Sequence, residues 1–259
     1  MFIDSYGSFK EQFYKLTGID LNAYKEGQMR RRIDSLIAKN RIPGYTAFIN
    51  VLKSDKEKYD EFLGYITINV SEFWRNPEQW EILERNILPP IINDSGIKVW
   101  SAACSTGDEP YSLAMLLGEF LPLNRINILA TDIDKQVISK ARSGIYTEKS
   151  IKGLPARFRN RYVNHMCDGA YEVSQEIRKC VAFREHDLLS PRYPLDFDMI
   201  VCRNVLIYFT EEAKAEVFKK FSDSLKIGGL LFIGSTEQIM KYKEIGLKRE
   251  NSFYYRKVE

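Results

Sequence analysis

KVWSAACSTGDEPYS, residues 98–112, reads as a buried strand, a turn of small residues around Gly107, and a helix opened by Pro110. Leu113, Leu116, Leu117 and Phe120 then fall on one face of that helix. In an open α/β sheet such a turn lies at the carboxyl end of a strand, where a ligand can approach backbone N–H groups carrying partial positive charge. A small-molecule site is expected here. Gly107 is the only glycine between Gly96 and Gly118, so neither a three-glycine dinucleotide fingerprint nor a phosphate loop is present. Asp108 and Glu109 would repel a pyrophosphate and suit a cationic or neutral ligand; they equally suit a plain helix cap.

Downstream, the pattern continues as an alternation of strands and helices. Ile126–Thr131 is a second apolar strand ending at Asp132, 25 residues after Gly107. An acidic side chain there can accept hydrogen bonds from both hydroxyls of a ribose, or cap the helix that follows. A third strand, Phe197–Cys202, runs into Arg203, so three strand ends, at Ser101, Asp132 and Arg203, can converge on one crevice. The helix after it turns Val217, Phe218, Phe221 and Leu225 inward, with Gly228-Gly229 as its stop. LLFIGSTEQ and SFYYRKV close the chain with strand composition and only a short helix between them, which predicts a final antiparallel strand. Residues 145–180 interrupt the alternation. There YEVSQEIRKCVAF alternates like antiparallel strands, a small β insertion that can recognise a partner or be decoration.

Upstream, residues 5–85 show helical spacing, as in Phe9, Phe13, Leu16 and in Ile33, Leu36, Ile37, divided at Gly18, Pro43-Gly44 and Pro77. This predicts a helical domain with its linker over 1–85 and an α/β domain over 86–259, with the insertion at about 147–179. TINVSEFWRNP, residues 67–77, mixes Ile68, Val70, Phe73 and Trp74 with Asn69, Ser71, Glu72 and Arg75. That mixture suits a site wall or an amphipathic linker helix.

The net charge of +3 is uneven, because residues 25–41 hold six basic side chains against two acidic ones. Arg30, Arg31 and Arg32 therefore form either a solvated helix face or a docking surface for an acidic partner, and general nucleic-acid affinity is disfavoured. Four scattered cysteines without CxxC spacing and two distant histidines suggest no zinc site, disulfide framework or metal catalysis. The apolar runs are too short to cross a bilayer and no signal peptide is evident, so a soluble, cytoplasmic protein is expected.

TINVSEFWRN, VWSAACSTGDEPYSLA, TDID, CRNVLIYF and LLFIGSTEQ, in this order and spacing, resemble the chemotaxis receptor glutamate O-methyltransferases, the CheR family, essentially end to end. The resemblance implies a Rossmann-like S-adenosylmethionine-dependent methyltransferase sheet of seven strands with the last antiparallel, an all-α N-terminal domain and an inserted antiparallel β subdomain. It implies methylation of glutamate side chains on the cytoplasmic methylation helices of chemoreceptors, with S-adenosylhomocysteine as product. By position, Asn69, Ser71 and Arg75 would border the cofactor, Glu109 would meet its ammonium and Asp132 its ribose. Asp187 and Leu188 would lie beside the adenine, with Arg203 and Asn204 on the opposite edge. Asp187 stands where the family often has Asn. Some members tether to a receptor C-terminal pentapeptide through a longer, glycine-richer loop than NHMCDGAYEVSQE, so no such tether is expected here.

The chemistry follows from charge. A glutamate titrates near 4.3 and is already the nucleophile at neutral pH, so no general base is needed. Arg75 is the candidate for orienting that carboxylate and Tyr208 for a hydrogen bond near the transferring methyl; Tyr208 also fits a core aromatic at a strand end. Two other readings compete: a nucleic-acid methyltransferase and a non-catalytic cofactor-binding adaptor. Adenine amino methylation usually relies on an Asn/Asp-Pro-Pro-aromatic loop, whereas Asn204 is followed by Val-Leu-Ile-Tyr; an adaptor could have lost Arg75 and Tyr208, and both are present.

Overall fold

The computed structural model describes residues 4–67, 69, 71–93 and 95–259; Ile68 and Val70 of the TINVSEFWRNP stretch lie outside them. Two compact units are present, Met1–Ile68 with Leu206–Glu216, and Asn69–Val205 with Val217–Glu259.

Four helices build the first unit: α1 (Tyr6–Thr17), α2 (Glu26–Lys39), α3 (Tyr45–Ser54) and α4 (Lys56–Ile66). Ser5 Oγ accepts the Ser8 N–H at the start of α1, and Gly18, at φ 77°, ends it in a left-handed conformation that glycine adopts without a Cβ clash. The periodic aromatics meet in one core, where Phe62 packs edge-on to Phe13 at 5.2 Å and to Phe48 at 5.0 Å. Truncating any of these buried rings to Ala would cost roughly 3–5 kcal/mol. The Leu206–Glu216 segment joins the unit through Lys25 N–H on the Tyr208 carbonyl, Thr210 N–H on the Ala23 carbonyl, and the Tyr24 and Phe209 rings.

Among its described residues the second unit holds ten strands. Seven form one sheet: β1 (Ile97–Ala102), β2 (Ile126–Asp132), β6 (Val181–Glu185), β7 (Phe197–Cys202), β8 (Leu225–Ile233), β9 (Leu247–Arg249) and β10 (Tyr254–Lys257), in the spatial order β6-β2-β1-β7-β8-β10-β9. β6, β2, β1, β7 and β8 run parallel, and β10 is antiparallel to both neighbours, as the closing hairpin predicts. The central strands are buried almost throughout, which is why their sequences are continuous apolar runs rather than alternating ones. Trp100 in β1 satisfies its indole N–H on Thr131 Oγ1 at 2.9 Å. At the sheet's margin, Ile128 N–H bonds the Cys180 carbonyl, so the Phe183 carbonyl faces outward, where the Arg142 guanidinium takes it at 2.6 Å.

Helices α5 (Pro77–Ile82), α6 (Asp108–Leu117) and α7 (Lys135–Ser143) belong to this unit, and α11 (Glu211–Ser224) enters it from Val217 onward. The insertion comprises β3 (Ile145–Tyr146), β4 (Val163–His165) and β5 (Tyr171–Val173), an antiparallel sheet ordered β3-β5-β4, with the short helices α8 (Glu148–Ile151), α9 (Ala156–Tyr162) and α10 (Gln175–Arg178) around it.

Several expectations need correction. The division falls after Ile68 rather than at 85, because Trp80 and Leu83 are buried in one core with Val99, Leu113 and Phe232. The alternation after Tyr171 is broken by α10. α6 ends at Leu117, before Phe120, and every residue from Pro110 to Leu117 is buried, so it is a core helix rather than a one-sided one. Gly228-Gly229 lies within β8, at a register shift opposite Phe197/Met199, and the helix stops earlier, at Ser224.

Candidate functional site

Because β2, β1 and β7 are neighbours in register, the segments that follow them gather at one edge of the sheet. Their backbones are unusual. Ala103 (φ 67°), Ser105 (φ 47°) and Asn204 (φ 61°) are left-handed without being glycine, as are Trp74 (φ 59°) and Asn76 (φ 61°). Each such residue costs about 1–3 kcal/mol and persists only where its surroundings over-determine it. Here they do. Cys104 N–H bonds the Thr131 carbonyl, Ser105 N–H bonds Asp132 Oδ2, both at 2.8 Å, and Tyr146 Oη bonds the Thr106 carbonyl at 2.7 Å. Gly107 sits so tightly against α7 that a Cβ would come within 2.8 Å of the Ala141 methyl.

Glu109, in the first turn of α6, accepts Ser101 Oγ at 2.9 Å and Arg203 Nη1 at 3.3 Å. Burial raises its pKa, with Arg203 opposing the shift. Asp132 accepts the N–H groups of Ser105 and Asp134, one on each oxygen, and burial raises its pKa too. Asp108 is buried, bonded by Thr106 and Ser71, and its pKa is likewise raised by desolvation. Asn69 donates to Asp134 Oδ2 at 2.9 Å, tying the start of this segment to the cap of α7.

Phe73 and Trp74 are buried and Trp74 stacks on Trp80 at 4.7 Å, while residues 71–76 are not helical. The segment is therefore not a linker helix. The Arg75 carbonyl accepts both Trp80 Nε1 and Arg203 Nη2, and its half-buried side chain extends from this fixed backbone. Asp187 and Leu188 follow β6, beside Asp132, whose carbonyl takes the His186 N–H. Leu188 is buried, and Asp187, its pKa raised by burial, caps the turn through Leu189 N–H.

Two expected site residues stand differently. Arg203 is buried, its guanidinium against the Phe232 and Trp80 rings and donating to Glu109, Gln79 Oε1 and the Arg75 carbonyl. It braces the crevice more than it lines it. Tyr208 belongs to the first unit by its contacts. Glu237, not singled out in the sequence, is buried and accepts three backbone N–H groups, from Gly234, Asn204 and Val205. Its only signal was an acidic residue four positions beyond a strand end.

Residues 69–252 match the family model described as CheR methyltransferase, SAM binding domain, and residues 4–67 match CheR methyltransferase, all-alpha domain. The chain belongs to the CheR methyltransferase family. A chemotaxis protein methyltransferase of Listeria innocua is 44% identical over 92% of this chain and 91% of its own. The Borreliella burgdorferi protein of that name is 35% identical over 90% and 87%, and that of Escherichia coli 34% over 86% and 80%. This CheR is thus an S-adenosylmethionine-dependent methyltransferase.

The crevice fits that cofactor. Its carboxylates suit a ligand with an ammonium, a sulfonium and ribose hydroxyls, and Ser105 Oγ and Arg203 Nε are buried without a partner among the described residues. No helix among the described residues is long and apolar enough to cross a membrane.

Proposed function

We propose that this CheR esterifies glutamate side chains on the cytoplasmic helices of chemoreceptors, the modification behind chemotactic adaptation. What supports the reading is the match to the CheR methyltransferase model together with relatives named chemotaxis protein methyltransferase. An amine substrate would have to lose a proton first, whereas a carboxylate arrives ionised.

In this reading Glu109 holds the cofactor's ammonium and Asp132 its ribose, with Asn69 and Ser71 at its border, Asp187 and Leu188 beside the adenine, and Arg203 and Asn204 bracing the far edge. Bound there, S-adenosylmethionine supplies an electrophilic methyl group. Opposite charges are consumed in the transfer, so the buried aromatic wall of Phe73 and Trp74 favours it by excluding water. Arg75 orients the substrate carboxylate, a positioning task worth several kcal/mol.

Arg30 and Arg31 on α2 offer the docking surface for an acidic receptor helix. Arg32 is half-buried, donating to the Tyr65 carbonyl and lying over the Tyr65 ring, so it serves the fold of the helical unit instead. The turn between β4 and β5 closes through Met166 N–H on the Ala170 carbonyl, a compact geometry that supports the absence of a pentapeptide tether. Calorimetry with a receptor C-terminal pentapeptide should show no heat of binding, and a measurable affinity would refute this.

Transfer of radiolabelled methyl groups tests the whole reading. Base-labile label on a receptor cytoplasmic fragment is expected; label on RNA, or none, would replace it with the nucleic-acid or adaptor reading. Arg75→Ala should lose most turnover with its fold intact, and near-normal methylation would remove Arg75 from the mechanism.

A further inference from the structure

Cys202 at the end of β7 is in register with Ile233 at the end of β8, so the two chains leave the sheet side by side. The first continues into Arg203 and the left-handed Asn204, the second into Gly234 and the turn that carries Glu237. The Glu237 carboxylate closes the gap between them. Oε2 accepts Gly234 N–H at 2.7 Å and Asn204 N–H at 3.1 Å, and Oε1 accepts Val205 N–H at 3.1 Å. The turn is closed by Glu237's own N–H on the Gly234 carbonyl.

Backbone donors converging on both oxygens suit a carboxylate of this length. A glutamine would turn an NH2 group toward one of the N–H donors, and an aspartate is one methylene short. The fit leaves no slack: a Cβ on Gly234 would stand 2.7 Å from Glu237 Oε2 and 2.8 Å from Asn204 N. Asn204 adopts its left-handed conformation within this bracket, and the adjoining Arg203 reaches Glu109 from the same backbone.

We propose that Glu237 is a positioning residue for cofactor binding: its carboxylate staples the segment after β7 to the turn after β8, and thereby holds Arg203 and Asn204 where the crevice requires them. The proposal rests on the reading of the crevice as the cofactor site. Glu237 acts through the backbone of its neighbours, and its negative charge also reaches Glu109.

The experiment compares full-length wild type with Glu237→Gln, using S-adenosylhomocysteine as the probe in calorimetry and amide hydrogen exchange as the second readout. The dissociation constant should rise about tenfold or more. The Asn204, Val205 and Gly234 amides, slow to exchange in the wild type, should become fast in the variant, while those of Trp100 and Val201 in the sheet stay slow. Exchange rising equally throughout would mean general loosening and would overturn the positioning role. Should Glu237→Gln not fold, Gly234→Ala strikes the same contact from the other side and should weaken binding similarly; unchanged affinity would overturn the proposal. A wild type that binds no S-adenosylhomocysteine overturns the crevice reading and the proposal with it. Wild-type binding with an unaltered Glu237→Gln affinity overturns the proposal alone.

Discussion

Arg203 in the α/β unit and Arg31 in the helical unit carry the same guanidinium in opposite circumstances. The side chain of Arg203 is 2% exposed, packed against the Phe232 and Trp80 rings and bonded to a carboxylate, an amide oxygen and a backbone carbonyl. Arg31 lies in solvent with no hydrogen-bond or ion-pair partner for its guanidinium among the described residues, while its own carbonyl accepts Ser35 Oγ. A buried cation is a fixture, because removing it strands the charge it neutralises; an exposed one keeps its hydration and is available to a partner. Arg32 stands between them, next in the chain to Arg31 and tied to Tyr65.

The largest effect should come from Arg203→Met, which leaves Glu109 buried and unpaired. Urea denaturation should show a loss of about 3–5 kcal/mol, and a loss below about 1 kcal/mol would erase the distinction from a surface arginine.

Next in size is the crevice itself. Asp132→Ala should weaken S-adenosylhomocysteine binding about 30- to 100-fold, as expected for hydrogen bonds to a charged group, and an unchanged dissociation constant would show that Asp132 serves only the loop. Calorimetry across pH gives an independent sign. Burial raises the pKa of Glu109, Asp132 and Asp108, so each begins to protonate above the ordinary carboxylate range on acidification. A ligand ammonium favours the ionised form, so binding shifts protons off these groups and affinity must fall as pH drops. The fall should start above about pH 4; affinity rising on acidification would contradict the assignment.

The smallest effects sharpen the contrast within α2. Arg32→Ala should cost about 1 kcal/mol of stability through the lost Tyr65 contacts. Arg31→Glu should change stability by less than about 0.5 kcal/mol yet raise the receptor KM about threefold at low salt, an effect that fades as salt is added. Equal behaviour of the two variants in both measurements would dissolve the distinction.

What could be read before the structure was whatever depends on near neighbours in the chain. The apolar run through Val99 and Trp100, the turn at Gly107 and the acidic start of α6 sit within 15 residues, and their meaning is local. Asp132 was legible because a parallel sheet places it predictably. Long-range polar contacts were not. Glu237 and Asn204 are 33 positions apart, and only the β7–β8 pairing joins them. Arg203 showed its place at a strand end but not its burial, which depends on Trp80 and Phe232 arriving from distant segments. Arg32 was indistinguishable from Arg31 because charge patterning ignores what α4 presents to it. The glycine pair at 228–229 misled for the converse reason, since a helix stop and a strand irregularity use the same residue.

The guanidinium of Arg142 on the outward carbonyl of Phe183 bears on life at high concentration. An unpaired strand margin invites another polypeptide to extend the sheet, the first step toward aggregation. A bulky cation seated on that acceptor occupies a bonding position and puts charge in the path of any incoming chain at the open end of the seven-strand sheet.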